Sequence, residues 1–294
     1  MMKNAADTVR DPFEPIFEPR IVHEGDGVVV VAKPSGMHCA PASEPGTLCS
    51  WLFARMPEAA AVHGWRSDEG GMAHRLDSAT SGLVAFALDD MTFAAIAAAA
   101  DSGGFVKSYR ALGTSSIAGL PGSRPVLTAP DHIDEPSWLM AVRHGDIGRL
   151  ASMAVGASIT SVFRPYGPGA TRVACSRDTR SRDTRSRDTR SRETQAPETR
   201  APGTQAHKGK SWTRSEYRTD LKGAMRLADS LLLDVELSRG FRHQIRAHLA
   251  WIGLPLIGDS LYGDEDGILR LRAYRISIAY GAGAAPLVID LDAC

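Results

Sequence analysis

The sequence predicts a chain of the mixed α and β kind, and three observations predict it. Val28-Val29-Val30-Val31-Ala32 is a continuous β-branched run of the sort found in a strand covered on both faces. Phe105–Leu112 alternates as a strand should, with Lys107, Tyr109 and Ala111 on one face and Val106, Ser108 and Arg110 on the other. Between such runs lie helical spacings, as in the Ala-rich stretch Met91–Ala100 with Phe93 and Ile96 on one face. At 294 residues and 43% hydrophobic composition, the chain can bury a sizeable core.

The elements follow in order. Residues Met1–Arg20, charged and Pro-rich, read as a flexible N-terminal arm, with no signal-peptide core and a cytoplasmic setting expected. The strand at Val28–Ala32 stops at Lys33-Pro34-Ser35-Gly36, where proline and glycine turn the chain, and Lys33 reads either as a solvated charge or as a brace for a site. Thr47 can cap a helix from Leu48 to about Met56, ended before Pro57, with Trp51 expected in the core. A strand at Leu83–Leu88 precedes the Ala-rich helix, which Gly103-Gly104 ends. Gly113–Gly169 reads only as short strands and turns. Leu231–Leu237 is again a strand. Ser238–Gly253 reads as a helix with Ile245, Leu249 and Ile252 on its core stripe and Arg239, Arg242, His243 and Arg246 on another face near its start. Such a set is either a solvated polar face or an anion site at a helix N-terminus. Gly253–Gly263 is turn-rich, and Leu287–Leu291 is a last apolar strand.

Between these lies an insertion. Ser-Arg-Asp-Thr-Arg repeats at 176–180, 181–185 and 186–190 and then decays. A five-residue period fits neither helix nor strand, and almost nothing there can be buried. Residues 175–214 are therefore expected to be a disordered insertion within one domain spanning 21–294, a passive repeat expansion rather than an RNA-binding tail. Of the 34 Lys/Arg and 34 Asp/Glu, 11 and 5 fall between Ser176 and Arg214, which leaves 23 against 29 for the rest. An anionic partner must then meet a local basic patch rather than the body's overall charge. The four cysteines match no zinc spacing and read as free thiols. No apolar run approaches the ~20 residues of a membrane span.

Chemistry concentrates at His74-Arg75-Leu76-Asp77-Ser78-Ala79-Thr80-Ser81-Gly82-Leu83, where a base, a cation and a carboxylate precede a buried strand. Charges in such a place are costly unless paired or used. On the residues alone, a surface Arg75–Asp77 ion pair and a functional site stand level.

These segments together resemble the RluA-type RNA pseudouridine synthases. The matching pieces are Glu24–Gly36, ending in Lys-Pro-x-Gly; His74–Leu83; Lys107-Ser108-Tyr109-Arg110-Ala111; Gly240–Leu249, with His-Gln-Ile-Arg; and Gly253–Gly263, with Gly-Asp-x-x-Tyr-Gly. They occur in the family's order. Two departures stand out: Phe241 occupies a place where relatives carry Arg, so either Arg242 takes over a phosphate contact or that contact is absent, and the chain ahead of Ile21 is too short for the small RNA-binding domain many relatives carry.

The resemblance implies an α+β fold in which a mixed, mostly antiparallel sheet is flanked by helices and loops and crossed by a central basic cleft. It implies isomerisation of uridine to pseudouridine in a ribosomal or transfer RNA with no metal called for, and a monomer without cofactor is expected. Asp77 would be the essential carboxylate, whether it attacks the sugar or the base or assists glycal formation. Arg246 would be its counter-cation. Tyr109 would stack on the flipped uracil and could serve as a base in the late proton transfer. Arg75 would fill the vacated stack. His74, Lys107, Arg239, Arg242, His243 and Gln244 would contact RNA. A non-catalytic RNA binder on the same fold is the alternative from another class, and a hydrolase built on Asp77 and His74 lacks a second carboxylate.

Overall fold

The structure is a computed structural model that describes residues 11–117, 120, 123–128, 134–177, 212–263, 267–280 and 285–293. Its centre is a twisted sheet of eleven strands. Chain order runs β1 (Arg20–Gly25), β2 (Val28–Lys33), α1 (Leu48–Phe53), α2 (Pro57–Ala61), β3 (Ser81–Ala87), α3 (Asp90–Asp101) and β4 (Phe105–Thr114). It continues with β5 (Val126–Thr128), α4 (Glu135–Arg143), α5 (Ile147–Ala154), β6 (Ser158–Tyr166) and β7 (Arg172–Ser176). Last come β8 (Tyr217–Leu227), β9 (Ser230–Leu237), α6 (Gln244–Trp251), β10 (Leu271–Ile278) and β11 (Leu287–Asp290).

The strands lie in the order β1-β2-β3-β10-β4-β9-β8-β6-β5, with β11 beside β10 and β7 beside β6. Every pairing is antiparallel except β3 with β10. The expected mixed, mostly antiparallel α+β sheet is what forms. Residues alternate across it as a strand covered twice requires. Val29 and Val31 join the core under α1, whereas Val28, Val30 and Ala32 join the core under α3. The parallel contact depends on Gly82, at φ +116°, where a Cβ would stand 2.1 Å from the Ala273 carbonyl oxygen.

Local chemistry accounts for most helix ends. Thr47 and Ser50 form a capping box on α1. That helix stops at Phe53, short of Met56, and Pro57 opens α2 instead. Trp51, expected in the core, is half-buried with the Arg55 guanidinium 4.2 Å above its ring. The stretch that read as strands and turns holds two helices as well, α4 capped by Asp134 and α5 capped by Asp146. Their apolar residues recur at helical spacing (Ile147, Leu150, Met153, Ala154), a signal that the many glycines around them obscured. Trp138 of α4 is buried and donates to the Ile252 carbonyl at 2.7 Å, which ties this pair to the end of α6.

The α6 helix also starts later than its sequence suggests. Arg239, Arg242 and His243 precede it, and His243 turns in with φ +58°. Gln244 to Ala250 are all buried, so the helix lies inside the protein and shows no solvated polar face.

In the described part of the expected flexible arm, Phe13 is buried and Arg272 donates to the Glu14 carbonyl, while Phe17 is 86% exposed. Of the expected insertion at 175–214, Cys175 and Ser176 are buried in β7, and Thr213 bonds to both the carbonyl and the amide of Phe163. The rest of that expectation, 178–211, lies outside the described residues.

Candidate active site

Asp77 sits on a loop that enters β3, and the turn after β2 pins this loop. Lys33 is fully buried, and its ammonium donates to the carbonyls of Pro34 (2.9 Å), Met37 (2.8 Å) and Ser78 (3.0 Å). All three donors are used, which is the condition for burying an ammonium group at all. Burial still lowers its pKa to about 8, against the raising pull of Cys39 and Asp77. Gly36 N–H also donates to Ser78 O, and the Ser35 hydroxyl to Ala79 O. Lys33 is thus the brace rather than the solvated charge, and it fixes the residues on the C-terminal side of Asp77.

The second anchor comes from α6 and the turn after it. Arg246 is buried and makes a two-pronged pair with Asp259, Nε to Oδ2 at 2.8 Å and Nη2 to Oδ1 at 2.6 Å. Asp259 also accepts from the Leu261 and Tyr262 amides at 3.0 and 3.2 Å. The remaining guanidinium nitrogen, Nη1, points to Asp77 Oδ2 at 3.7 Å. Burial alone would lower the Arg246 pKa, but Asp259 and then Asp77 outweigh it and the net shift is upward.

His243 flanks the same carboxylate, with Nε2 3.9 Å from Asp77 Oδ1. The Tyr262 hydroxyl accepts from the Val173 amide (2.7 Å), so its own proton can go to His243 Nδ1 (3.0 Å). With the tyrosine proton in that bond, the histidine proton sits on Nε2, facing Asp77. Burial lowers the His243 pKa, partly opposed by Asp77. Both neighbours stop short of hydrogen-bond distance, so Arg246 holds the carboxylate by charge and, among the described residues, its oxygens stay open to a ligand.

Tyr109 lines the same cleft from β4, alongside Leu237, Ile245 and Leu271. Burial first, then Asp77, push its phenol pKa up, so it stays protonated. That suits ring contact and argues against the late-base role. The cleft encloses about 1170 Å³, and its lining carries six Lys/Arg against three Asp/Glu. In a chain of zero net charge this is the local basic patch that an anionic partner requires.

Several expected contacts resolve differently. Arg75 does not pair with Asp77; it bonds to buried Glu69 at 2.8 Å and stays 53% exposed. His74 is turned inward: its Nε2 accepts from the Ala85 amide, its ring meets Phe105 edge-on, and burial lowers its pKa to about 3. A neutral, inward histidine is no phosphate contact. Gln244 is likewise spent inside, on Arg218 O, Thr219 Oγ1 and the Phe241 amide. Lys107 is buried, donates to Ser238 O at 3.0 Å and lies 4.3 Å over the Phe105 ring, with its pKa lowered by burial to about 8. Arg242 is exposed and holds the Ala170 and Arg172 carbonyls. Arg239 is exposed and stacks over Tyr217 at 5.0 Å.

Phe241 has a packing explanation. Its ring stacks on Phe163 (5.0 Å, 9°) and leans on Tyr217, while Phe163 stacks in turn on buried His248. Asp259 and Tyr262 lie within the Gly-Asp-x-x-Tyr-Gly match but carried no expected role, and Glu69 stood in no motif. A carboxylate inside the turn-rich Gly253–Gly263 segment was the available signal for Asp259. Among the described residues no group of three or more His, Cys, Asp or Glu could hold a metal, and no helix is long and apolar enough to cross a membrane.

Comparison with known proteins bears on this arrangement. The family model described as RNA pseudouridylate synthase matches residues 27–251. An "Uncharacterized RNA pseudouridine synthase" of Chloroflexus aurantiacus is 28% identical over 251 residues, 84% of this chain and 56% of that protein. "Ribosomal large subunit pseudouridine synthase D" of Pseudomonas aeruginosa is 25% identical over 250 residues, 84% of this chain and 54% of that protein. This chain thus spans little more than half the length of these relatives. The structure titled "Human RNA Pseudouridylate Synthase Domain Containing 4" shares the fold with a TM-score of 0.51 at 15% identity, covering 92% of this chain and 87% of that one.

Proposed function

This chain belongs to the RNA pseudouridylate synthase family, and we propose that it isomerises uridine to pseudouridine at chosen sites in a structured ribosomal or transfer RNA. In that reaction the bond from ribose C1′ to uracil N1 breaks, the base turns over, and C1′ rejoins at C5. The C5 proton leaves and N1 gains one, so the atoms balance without oxidant or reductant.

A uridine stacked in folded RNA cannot touch a carboxylate at the floor of a cleft, so it is flipped out of the stack to reach Asp77. Asp77 acts on the sugar–base bond while Arg246, held in place by Asp259, supplies the counter-charge. Tyr109 offers its ring to the base. Arg75, Arg239 and Arg242 meet the RNA backbone, and Arg75 is the one placed two residues from Asp77 to occupy the gap the base leaves. The protein is expected to act as a cytoplasmic monomer.

One observation carries this reading. A carboxylate open to a ligand stands 3.7 Å from a buried guanidinium inside a cleft with a surplus of cations. The test is tritium release from RNA labelled at uridine C5, with wild type and Asp77→Asn. Release by wild type and none by the variant is expected; equal release by both overturns the role of Asp77, and RNA binding without release by wild type favours a pure binder. Mapping pseudouridines in cellular RNA with and without the gene identifies the target.

A further inference from the structure

One aromatic at this cleft has no part in the chemistry above. Trp65 lines the cleft, yet its residue surface is 60% exposed, an uncommon state for so large an apolar ring. Its one described ring neighbour is Phe93, met at 65° and 5.3 Å.

The loop that carries Trp65 is pinned on both sides. His63 donates its amide to Asp90 Oδ1 at 2.7 Å and sets its ring Nδ1 2.9 Å from Oδ2 of the same carboxylate. Gly64 packs so closely on the Gly70 carbonyl that a Cβ there would stand 1.9 Å from its oxygen. The Glu69 amide closes the loop on Arg66 O at 3.1 Å. The ring is therefore presented on a fixed support, with its ordering cost met on folding and not on binding. Arg66 follows Trp65 in the chain, and Arg66 and Arg75, 66% and 53% exposed at their side chains, both line the cleft and share the Glu69 carboxylate at 3.9 and 2.8 Å. A flat apolar ring that shares a cleft with two exposed guanidinium groups has the chemistry of a strand-binding surface, the ring for a base and the cations for phosphates.

We propose that Trp65 is a stacking contact for an unpaired base of the bound RNA strand, a second base station where the α2–β3 loop meets α3, for a base other than the one that reaches Asp77. This rests on the reading of the partner as RNA.

The test uses the full chain and fluorescence anisotropy with a labelled twenty-nucleotide unstructured RNA of uridine and adenosine. A control oligomer of equal charge replaces the bases with abasic sites. Trp65→Ala is expected to weaken binding of the RNA about ten-fold. Trp65→Phe should restore most of it, and all three proteins should bind the abasic oligomer alike. The dependence of affinity on salt should not change, because no charge is removed. Equal RNA affinity for wild type and Trp65→Ala overturns the inference and leaves the RNA reading standing. An equal loss on the abasic oligomer also overturns it, since a stacking contact needs a base. A wild-type protein that binds neither oligomer overturns the RNA reading and this inference with it. A shift in sedimentation mass on Trp65→Ala, with RNA affinity unchanged, assigns the ring to a protein interface instead.

Discussion

The floor and the rim of the cleft treat their charges in opposite ways. On the floor and behind it, Arg246, Lys33 and Asp259 are buried, and each is tied down by two or more bonds. On the rim, Arg239 and Arg242 are exposed and make contacts that a phosphate could replace, while Arg66 and Arg75 are exposed but share the buried Glu69 carboxylate. The physics differs accordingly. A buried ion has no water to fall back on, so its partners fix its position and removing one partner leaves an uncompensated charge. An exposed ion loses little when a contact breaks. The floor can therefore hold a reacting group in one place, while the rim can adapt to a large, irregular anion.

This contrast can be broken at several points. The largest effect is expected at Asp77→Asn, which should cut pseudouridine formation by more than about 10³-fold while moving the melting temperature little, since the carboxylate touches its neighbours only at 3.7 and 3.9 Å. Tritium release and a thermal melt read the two parts. A large loss of stability would make Asp77 part of the scaffold.

Asp259→Ala should come next. It strands the Arg246 guanidinium in the interior and should cost about 3–5 kcal/mol of folding stability by urea titration. A cost below about 1 kcal/mol would mean that Arg246 finds water or Asp77 at no penalty, and the floor is softer than its geometry implies.

The third concerns pH. His248 is fully buried between Ser161 Oγ and Thr219 Oγ1, both at 2.8 Å, and burial lowers its pKa from 6.5 to about 3. Its folded-state pKa is depressed, so below about pH 6.5 the unfolded chain takes up a proton that the folded one refuses. Stability is lost as pH falls from about 6.5 toward about 3. At pH 5 this one group should cost about 2 kcal/mol. Denaturant titrations at pH 7 and pH 5 measure it, and a His248→Gln variant should show a smaller difference between them.

The smallest effect belongs to the rim. Arg239→Gln should leave the fold intact and weaken RNA binding only a few-fold, lowering the salt slope by about one. An effect as large as that of Asp259→Ala would move Arg239 from the rim to the floor.

Much of this was legible in the chain itself. The all-valine run of β2 and the alternation of β4 are set by backbone and side-chain periodicity, so their faces could be read directly, down to Tyr109 pointing the same way as Lys107 and Ala111. The segment carrying Asp77 was recognisable because charges before a buried strand need a reason. The helices α4 and α5 were hidden because their short apolar stripes sit among glycines and prolines that speak for turns. For α6 the core stripe of Ile245, Leu249 and Ile252 was legible, but the later start at Gln244 and the burial of Arg246 were not.

What only the tertiary structure decided is which polar side chains are spent inside the protein and which are left for a partner. His74 and Gln244 look as available in the sequence as Arg239 does, yet they close internal hydrogen bonds. Arg246 does face Asp77, but Asp259 holds it more closely, and Asp77 is left open as a result. The sequence by itself determined strands, faces and the presence of a charged loop, because these depend on neighbours along the chain. The partners of each charge depend on residues far away in sequence, on distances of a few tenths of an ångström, and on how much water is excluded, and those arise only when the sheet is assembled.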